Sequence, residues 1–204
     1  MSKATFSILT ATIVAIVAVI GLFLATTDSE FGEKKRTFSD LGGDFTLNSK
    51  LGPVSLTDYR GKAVVLYFGF LTCPEVCPNS MGVVKNALNK LTPEQLDSTK
   101  AILISVDPGR DSLDDLAEYA GFYHEKLVGV TGSHKQIKQV TDQYGAYYDI
   151  EEIKSVSEDY GVEHSSRYYV IDPNGKLIAA MRHSTTPNEL RAQIAQVLDG
   201  RSAT

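Results

Sequence analysis

Residues 63–81 read AVVLYFGFLTCPEVCPNSM and place an apolar run, two cysteines and a helix signal in direct succession. The run from Ala63 to Phe70 is short and rich in β-branched and aromatic residues, which is typical of a strand buried on both faces. Pro78 is favourable at the first helical position and disfavours helical geometry at Cys77, so we predict that Cys77 is the N-cap of the next helix. The cysteines then lie in a loop at the carboxyl end of a strand, where α/β sheets commonly bind ligands.

Strand and helix signals alternate along the rest of the chain. Residues 101–106 (AILISV) and 127–131 (LVGVT) predict two more buried strands, and RYYVI and KLIAAM predict a hairpin across the turn DPNG. Helices are expected after the capping residues Ser112, Ser133 and Thr186. The pattern predicts an α/β, thioredoxin-like fold, in which a central mixed sheet is flanked by helices.

The amino-terminal residues predict a membrane anchor. Residues 6–25 (FSILTATIVAIVAVIGLFLA) carry no charge, and about 20 apolar residues in a helix can cross the hydrocarbon core. A cleaved signal peptide is the alternative, but the run is long and bulky Phe23 and Leu24 precede the obvious cleavage point. We expect one transmembrane helix that stays attached. The predicted division is a membrane anchor at 1–27, a polar tether at 28–40 and a folded domain at 41–204.

Composition limits the classes of function. The chain has 204 residues, 43% of them hydrophobic, which suits one domain with an appended segment. Its formal charge of −5 and its lack of a long basic block argue against a nucleic-acid partner. Two cysteines are too few for a disulfide-rich scaffold, so their proximity needs a local explanation.

Three residues separate Cys73 from Cys77, and this spacing allows either a shared metal ion or a disulfide. We expect the helix start to favour the thiolate of Cys77 and so to lower its pKa. A structural disulfide stays open, although so short a ring adds little stability. Two inert buried thiols are disfavoured, because a proline follows each cysteine in a loop.

Four motifs in order carry a resemblance to a known family: YFGFLTCPEVCPNSM, ISVDPGRDSLDDLAEYA, VGVTGSHKQI and VEHSSRYYVIDPNGKL. From about Gly43 to the last helix, the chain resembles the Sco/SenC family of copper-binding, thioredoxin-fold assembly factors for cytochrome c oxidase. The resemblance implies that Cys73, Cys77 and His164 bind copper, as Cu(I), Cu(II) or both. No departure from the family pattern removes a ligand. The departures are Glu75, Gly109 and Glu163.

The resemblance also implies partners and a location. The expected partners are the copper-bearing subunit of cytochrome c oxidase, an upstream copper donor and the membrane. The expected location is the inner membrane, with the domain in the periplasm or in the mitochondrial intermembrane space. An alternative function is a membrane-anchored thiol-disulfide reductase that uses Cys73 and Cys77 as a redox pair. A peroxiredoxin-type peroxidase is disfavoured, because Phe70 stands where that family has threonine.

The remaining polar candidates are a histidine and a loop. Thiolates select Cu(I), whereas imidazole suits both oxidation states, so His164 is chemically suited to join the cysteines. We expect it in a loop before the strand RYYVI, and we expect His124, His134 and His183 at ordinary surface positions. The loop residues Asp107, Arg110 and Asp111 follow a strand and are expected at the same sheet end as the cysteines. There they either bind a partner or order the site, or they are held by pairing among themselves and by N-cap contacts.

Overall fold

The structure is a computed structural model that describes residues 15–20, 37–150 and 162–200. Contacts divide the chain into two units, Met1–Thr37 and Phe38–Thr204. In the second unit, the described residues form one five-stranded sheet and two hairpins of two strands each.

Nine strands and five α-helices lie in the described part of this unit. The strands are β1 Thr46–Ser49, β2 Gly52–Ser55, β3 Ala63–Gly69, β4 Thr99–Ser105, β5 Leu127–Val130, β6 Tyr148–Ile150, β7 Val162–His164, β8 Arg167–Ile171 and β9 Leu177–Arg182. The helices are α1 Val76–Leu88, α2 Pro93–Asp97, α3 Leu113–Tyr123, α4 His134–Tyr144 and α5 Pro187–Leu198.

Strand β3 is the centre of the main sheet. The strand order is β5-β4-β3-β8-β9, with β3 parallel to β4 and antiparallel to β8. All seven residues of β3 are buried, as the apolar run Ala63 to Phe70 predicts. The central mixed sheet of the sequence prediction is confirmed.

Strands β3 and β4 end side by side. Gly69 and Ser105 are partners in the ladder, and the Val106 N–H donates a 2.9 Å hydrogen bond to the Gly69 carbonyl. The loop that carries the cysteines and the loop that carries Asp107 to Asp111 therefore leave the same edge of the sheet.

The predicted helix caps are confirmed. The Ser112, Ser133 and Thr186 side chains each accept a hydrogen bond from a backbone N–H in the first turn of α3, α4 and α5. At its other end, α4 stops at Gly145, whose φ of 62° lies in the left-handed region that glycine tolerates best.

The predicted hairpin of β8 and β9 is also confirmed. The Asp172 carboxylate accepts hydrogen bonds from the backbone N–H groups of Asn174 and Lys176, at 2.9 and 2.8 Å. Gly175 has a φ of 86°, which explains the glycine in this turn.

Helices α1 and α5 pack on each other, and α5 contacts β3 and β8, while α3 packs against β5. Three aromatic rings fill part of the core: Phe68 lies 6.1 Å from Tyr144 and 5.4 Å from Tyr169, measured between ring centroids. The Tyr144 hydroxyl donates a 2.8 Å hydrogen bond to the Gly43 carbonyl, so this large buried ring keeps a partner for its polar atom.

The predicted anchor at residues 6–25 falls largely outside the described residues. Residues 15–20 are helical. No helix within the described ranges combines the length and the apolar character that crossing a bilayer demands.

Candidate metal centre

The cysteine loop begins where β3 ends and closes on the first turn of α1. The Cys73 N–H donates to the Phe70 carbonyl at 3.4 Å, which turns the chain back directly after the strand. Cys73 retains 8% of its surface exposure and Cys77 retains 1%, so both thiols lie inside the fold with Cys73 nearer the solvent.

The predicted N-cap position of Cys77 is wrong. Helix α1 begins at Val76 with Glu75 as its N-cap, so Cys77 is the second helical residue. The Cys77 N–H donates to the Cys73 Sγ at 3.3 Å, so the first thiol satisfies a backbone donor at the helix start. Pro78 remains within the first turn, where its missing N–H has no cost.

Gly69 makes room for the second sulfur. A Cβ built on Gly69 would lie 2.9 Å from the Cys77 Sγ and 3.1 Å from the Tyr67 ring. The last residue of β3 therefore has to be glycine if the sulfur is to keep this position.

His164 reaches the cysteines from a strand outside the main sheet. It is the last residue of β7 and pairs with Tyr148 of β6, so the predicted loop position is wrong: the residue lies in a short hairpin. The rings of Phe70 and Tyr67 meet the imidazole nearly at right angles, with centroids 5.5 and 6.1 Å away. Aromatic walls thus hold the ring in place.

Three donor atoms converge as the sequence predicts. The Cys77 Sγ lies 3.4 Å from the His164 Nε2, and the ligand atoms of Cys73, Cys77 and His164 all lie within 4.8 Å of one another. Both cysteines are free of a disulfide. Two sulfurs of buried cysteines and one nitrogen of a half-buried histidine form a donor set that suits copper, above all Cu(I).

Burial sets the protonation of the site before a metal binds. It raises the pKa of the Cys77 thiol and lowers the pKa of His164, because both charged forms are disfavoured away from water. The expected low pKa of Cys77 is therefore wrong, since desolvation outweighs the helix start. A neutral thiol can donate to a neutral imidazole here, and a bound metal cation would displace the thiol proton.

The loop of Asp107, Arg110 and Asp111 is held by internal pairing. Arg110 Nε donates to the Asp107 carboxylate at 2.5 Å. The buried Asp111 accepts from the Ser105 hydroxyl at 2.6 Å and from the Leu71 N–H at 3.0 Å. The hydrogen bond between the Leu71 N–H and Asp111 joins this loop to the cysteine loop. The loop is therefore held by its internal pairing and also orders the site.

The other histidines lie elsewhere. The Nδ1 of His124 accepts from the Lys126 N–H at 2.9 Å just beyond α3, His134 is the exposed first residue of α4, and His183 is exposed after β9. None of them belongs to the cysteine and histidine cluster of the described residues.

Sequence reasoning missed one support of the site, Gly69, and named a second, Asp111, without its partner Leu71. Nothing in the local pattern shows that Gly69 contacts a sulfur, because that contact joins a strand to a helix that begins seven residues later. Asp111 reaches Leu71 across 40 positions of sequence. The sequence placed Asp111 at this sheet edge because it follows a strand, but it did not indicate the hydrogen bond to Leu71.

The fold and the converging donors define a thioredoxin-fold protein with a buried site of two thiols and one imidazole. The SCO1/SenC family model matches residues 33–199, and the chain belongs to this family.

Named relatives agree with the family assignment. Protein sco1 of Schizosaccharomyces pombe is 34% identical over 156 residues, which are 76% of this chain and 59% of that protein, so the chain spans less than two thirds of that relative. An SCO2-like protein of Rickettsia conorii is 32% identical over 173 residues, which are 83% of this chain and 84% of the relative. The crystal structure of Arabidopsis thaliana ScoI with copper bound superposes with a TM-score of 0.71 at 31% identity, covering 78% of this chain and 99% of that one.

Proposed function

We propose that this protein is a copper chaperone that binds copper through Cys73, Cys77 and His164 and delivers it to the dinuclear copper site of cytochrome c oxidase. The observation that carries the proposal is the convergence of these three donor atoms within 4.8 Å. The copper-bound relative from Arabidopsis thaliana supports copper as the cargo.

The donor set suits a carrier. Two thiolates favour Cu(I), and the imidazole accepts either oxidation state. His164 is neutral at physiological pH because burial lowers its pKa, so its Nε2 is ready to donate to a metal. Cys73 is the more exposed of the two cysteines, which gives an acceptor thiolate a first point of approach.

The location and partners follow from the same proposal. Residues 1–27 anchor the protein in the inner membrane, residues 28–40 act as a tether, and residues 41–204 form the domain in the periplasm or the mitochondrial intermembrane space. The copper-bearing oxidase subunit receives the metal, and an upstream donor supplies it. The apolar run at residues 6–25 is the sequence feature that supports the anchor.

A second candidate function is thiol-disulfide exchange with Cys73 and Cys77 as the redox pair. The specific observation in its favour is that both thiols are free and converge at a helix start, with the Cys73 Sγ accepting a backbone N–H. Attack by one thiolate on a disulfide of the oxidase subunit would give a mixed disulfide, which the second thiol then resolves. The imidazole is not needed for that reaction.

The substitution His164→Ala separates the two functions. It leaves both sulfurs and α1 in place, so we expect disulfide exchange to survive and copper binding by the reduced protein to weaken. His183→Ala is the matched control, because that histidine is exposed and outside the cluster.

The readouts are copper bound per chain by the purified reduced protein and oxidase assembly in cells. A chaperone predicts that His164→Ala loses assembly as Cys73→Ser does, with partial recovery when copper is added. Normal assembly with His164→Ala, together with failure of either cysteine variant, would reject the chaperone and favour the reductase.

A further inference from the structure

A groove next to the cysteine loop has no role in binding the metal. It has a volume of about 510 Å³, and its walls come from the cysteine loop and from helix α3. The lining residues are Leu71, Asp115, Glu118, Tyr119, Phe122 and Tyr123. We call it the aromatic groove.

One aromatic side chain of the groove is unusually exposed, and two half-buried tyrosines lie next to it. Phe122 keeps 75% of its surface exposed, although a phenylalanine gains most from burial. The Tyr123 ring lies 5.2 Å from Phe122 and 5.1 Å from Tyr119, measured between centroids, so three aromatic rings adjoin one another along α3. An exposed phenylalanine that adjoins two half-buried tyrosines is typical of protein interfaces, where aromatic residues are enriched.

The groove also adjoins the metal centre. Leu71 lines it and precedes Cys73 by two residues. The Leu71 backbone is fixed by its hydrogen bond to the buried Asp111, so this wall of the groove is held in place beside the thiols. A chain bound in the groove therefore lies close to the more exposed cysteine.

The charges on the groove indicate what binds there. Two of the described lining residues, Asp115 and Glu118, are acidic and none is basic. The Lys85 amine lies 5.6 Å from the centroid of the Phe122 ring, so one basic side chain lies next to the groove, but the two carboxylates of the lining outnumber it. Acidic groups beside an exposed aromatic ring complement a segment that carries both a positive charge and an apolar side chain.

We propose that the aromatic groove binds a segment of the copper partner that presents an apolar side chain between lysine or arginine residues. The apolar side chain packs on Phe122 and Leu71, while the basic residues face Asp115 and Glu118. The inference rests on the proposed function for the identity of the partner, because it supplies the docking chemistry that brings the partner's ligands to Cys73.

Binding of two labelled peptides to the full chain tests the proposal. One peptide has a central Lys-Phe-Lys, and the other has Glu-Phe-Glu in an otherwise identical sequence. Fluorescence anisotropy should show that the lysine peptide binds at least about tenfold more tightly, because like charges facing each other oppose the glutamate peptide. Equal affinities for the two peptides would overturn the proposal.

Three substitutions locate the bound peptide. Phe122→Ser removes a central aromatic anchor and should weaken the lysine peptide about 30-fold. Glu118→Lys should weaken the lysine peptide and strengthen the glutamate peptide. Leu51→Ser is the matched control, because Leu51 is 97% exposed at the tip of the β1–β2 hairpin and does not line the groove. Unchanged binding with Phe122→Ser would overturn the proposal.

Two further measurements keep the result distinct from the proposed function. We expect sedimentation of the free protein to show no self-association that depends on Phe122. Self-association that Phe122→Ser abolishes would make a second copy of the chain the occupant of the groove and would reject our assignment. Copper binding by Phe122→Ser should equal that of the wild type. If the wild type binds no copper, the proposed function fails. The comparison of the two peptides still tests whether the aromatic groove binds a basic segment.

Discussion

Replacing Gly69 by alanine tests whether the strand end shapes the metal centre. The new Cβ would lie 2.9 Å from the Cys77 Sγ, a separation that real side chains essentially never show. An ordinary contact begins at 3.4 Å, so the sulfur or the strand has to move by 0.5 Å, which is 3.4 minus 2.9. The Tyr67 ring lies 3.1 Å from the same Cβ position, so the new methyl group cannot move away from the sulfur toward this ring.

The expected cost has two parts. Overpacking in a tight core usually costs about 1–3 kcal/mol of unfolding free energy. For a domain of about 150–250 residues, that corresponds to a fall in melting temperature of about 2–12 °C. A displacement of 0.5 Å is also about the tolerance of a functional site, so we expect copper affinity to fall about tenfold, which is about 1.4 kcal/mol.

The matched control is Gly82→Ala in the same helix as Cys77. No atom lies within 4 Å of the Cβ position at Gly82, and alanine in a helix stabilises by about 0.4–1 kcal/mol. Thermal unfolding of the apo protein and competition for Cu(I) with a chelator measure both effects. If Gly69→Ala melts and binds copper like the wild type, the steric argument is refuted.

Three other perturbations follow from the site. Asp111→Ala removes the oxygen that accepts from both the Leu71 N–H and the Ser105 hydroxyl, and should cost about 1–3 kcal/mol in urea unfolding because two buried donors lose their acceptor. An unchanged midpoint and slope would contradict the tie between the two loops. Cys73 should be alkylated before Cys77. We expect Cys77 to react appreciably only above about pH 8.5, because burial raises its pKa. Faster reaction at Cys77 than at Cys73 in neutral solution, measured by fragment mass spectrometry, would contradict this order. Burial lowers the pKa of His164, so on acidification the unfolded chain binds a proton there more readily than the native chain does. The unfolding free energy of the apo protein should therefore fall as the pH drops through and below the ordinary histidine pKa of about 6.5. His164→Gln should show a smaller fall, and an equal fall would contradict this reasoning.

The sequence predicted the sheet because its signals are local. The apolar run at Ala63, the caps at Ser112 and Ser133 and the turn at Gly175 each act over a few residues, and the structure confirms all of them. The hairpin of β6 and β7 was not predicted, because short strands of mixed polarity carry little periodic signal.

The sequence predicted the three donor residues of the site but not the surroundings that set their pKa values. Cys73, Cys77 and His164 come together as the family resemblance implies. The expected low pKa of Cys77 was wrong because a local rule about helix starts cannot include tertiary burial. Burial depends on Gly69 and on the aromatic rings around the site, and those contacts arise only when the strands are assembled.

Copper K-edge X-ray absorption of the reduced protein loaded with one Cu(I) per chain tests the central claim most directly, since it reports the atoms bound to the metal. The account predicts two sulfur ligands and one imidazole nitrogen, with the imidazole signal lost in His164→Ala and retained in His183→Ala. An imidazole signal that survives in His164→Ala, or a copper ion with fewer than two sulfur ligands in the wild type, would contradict it.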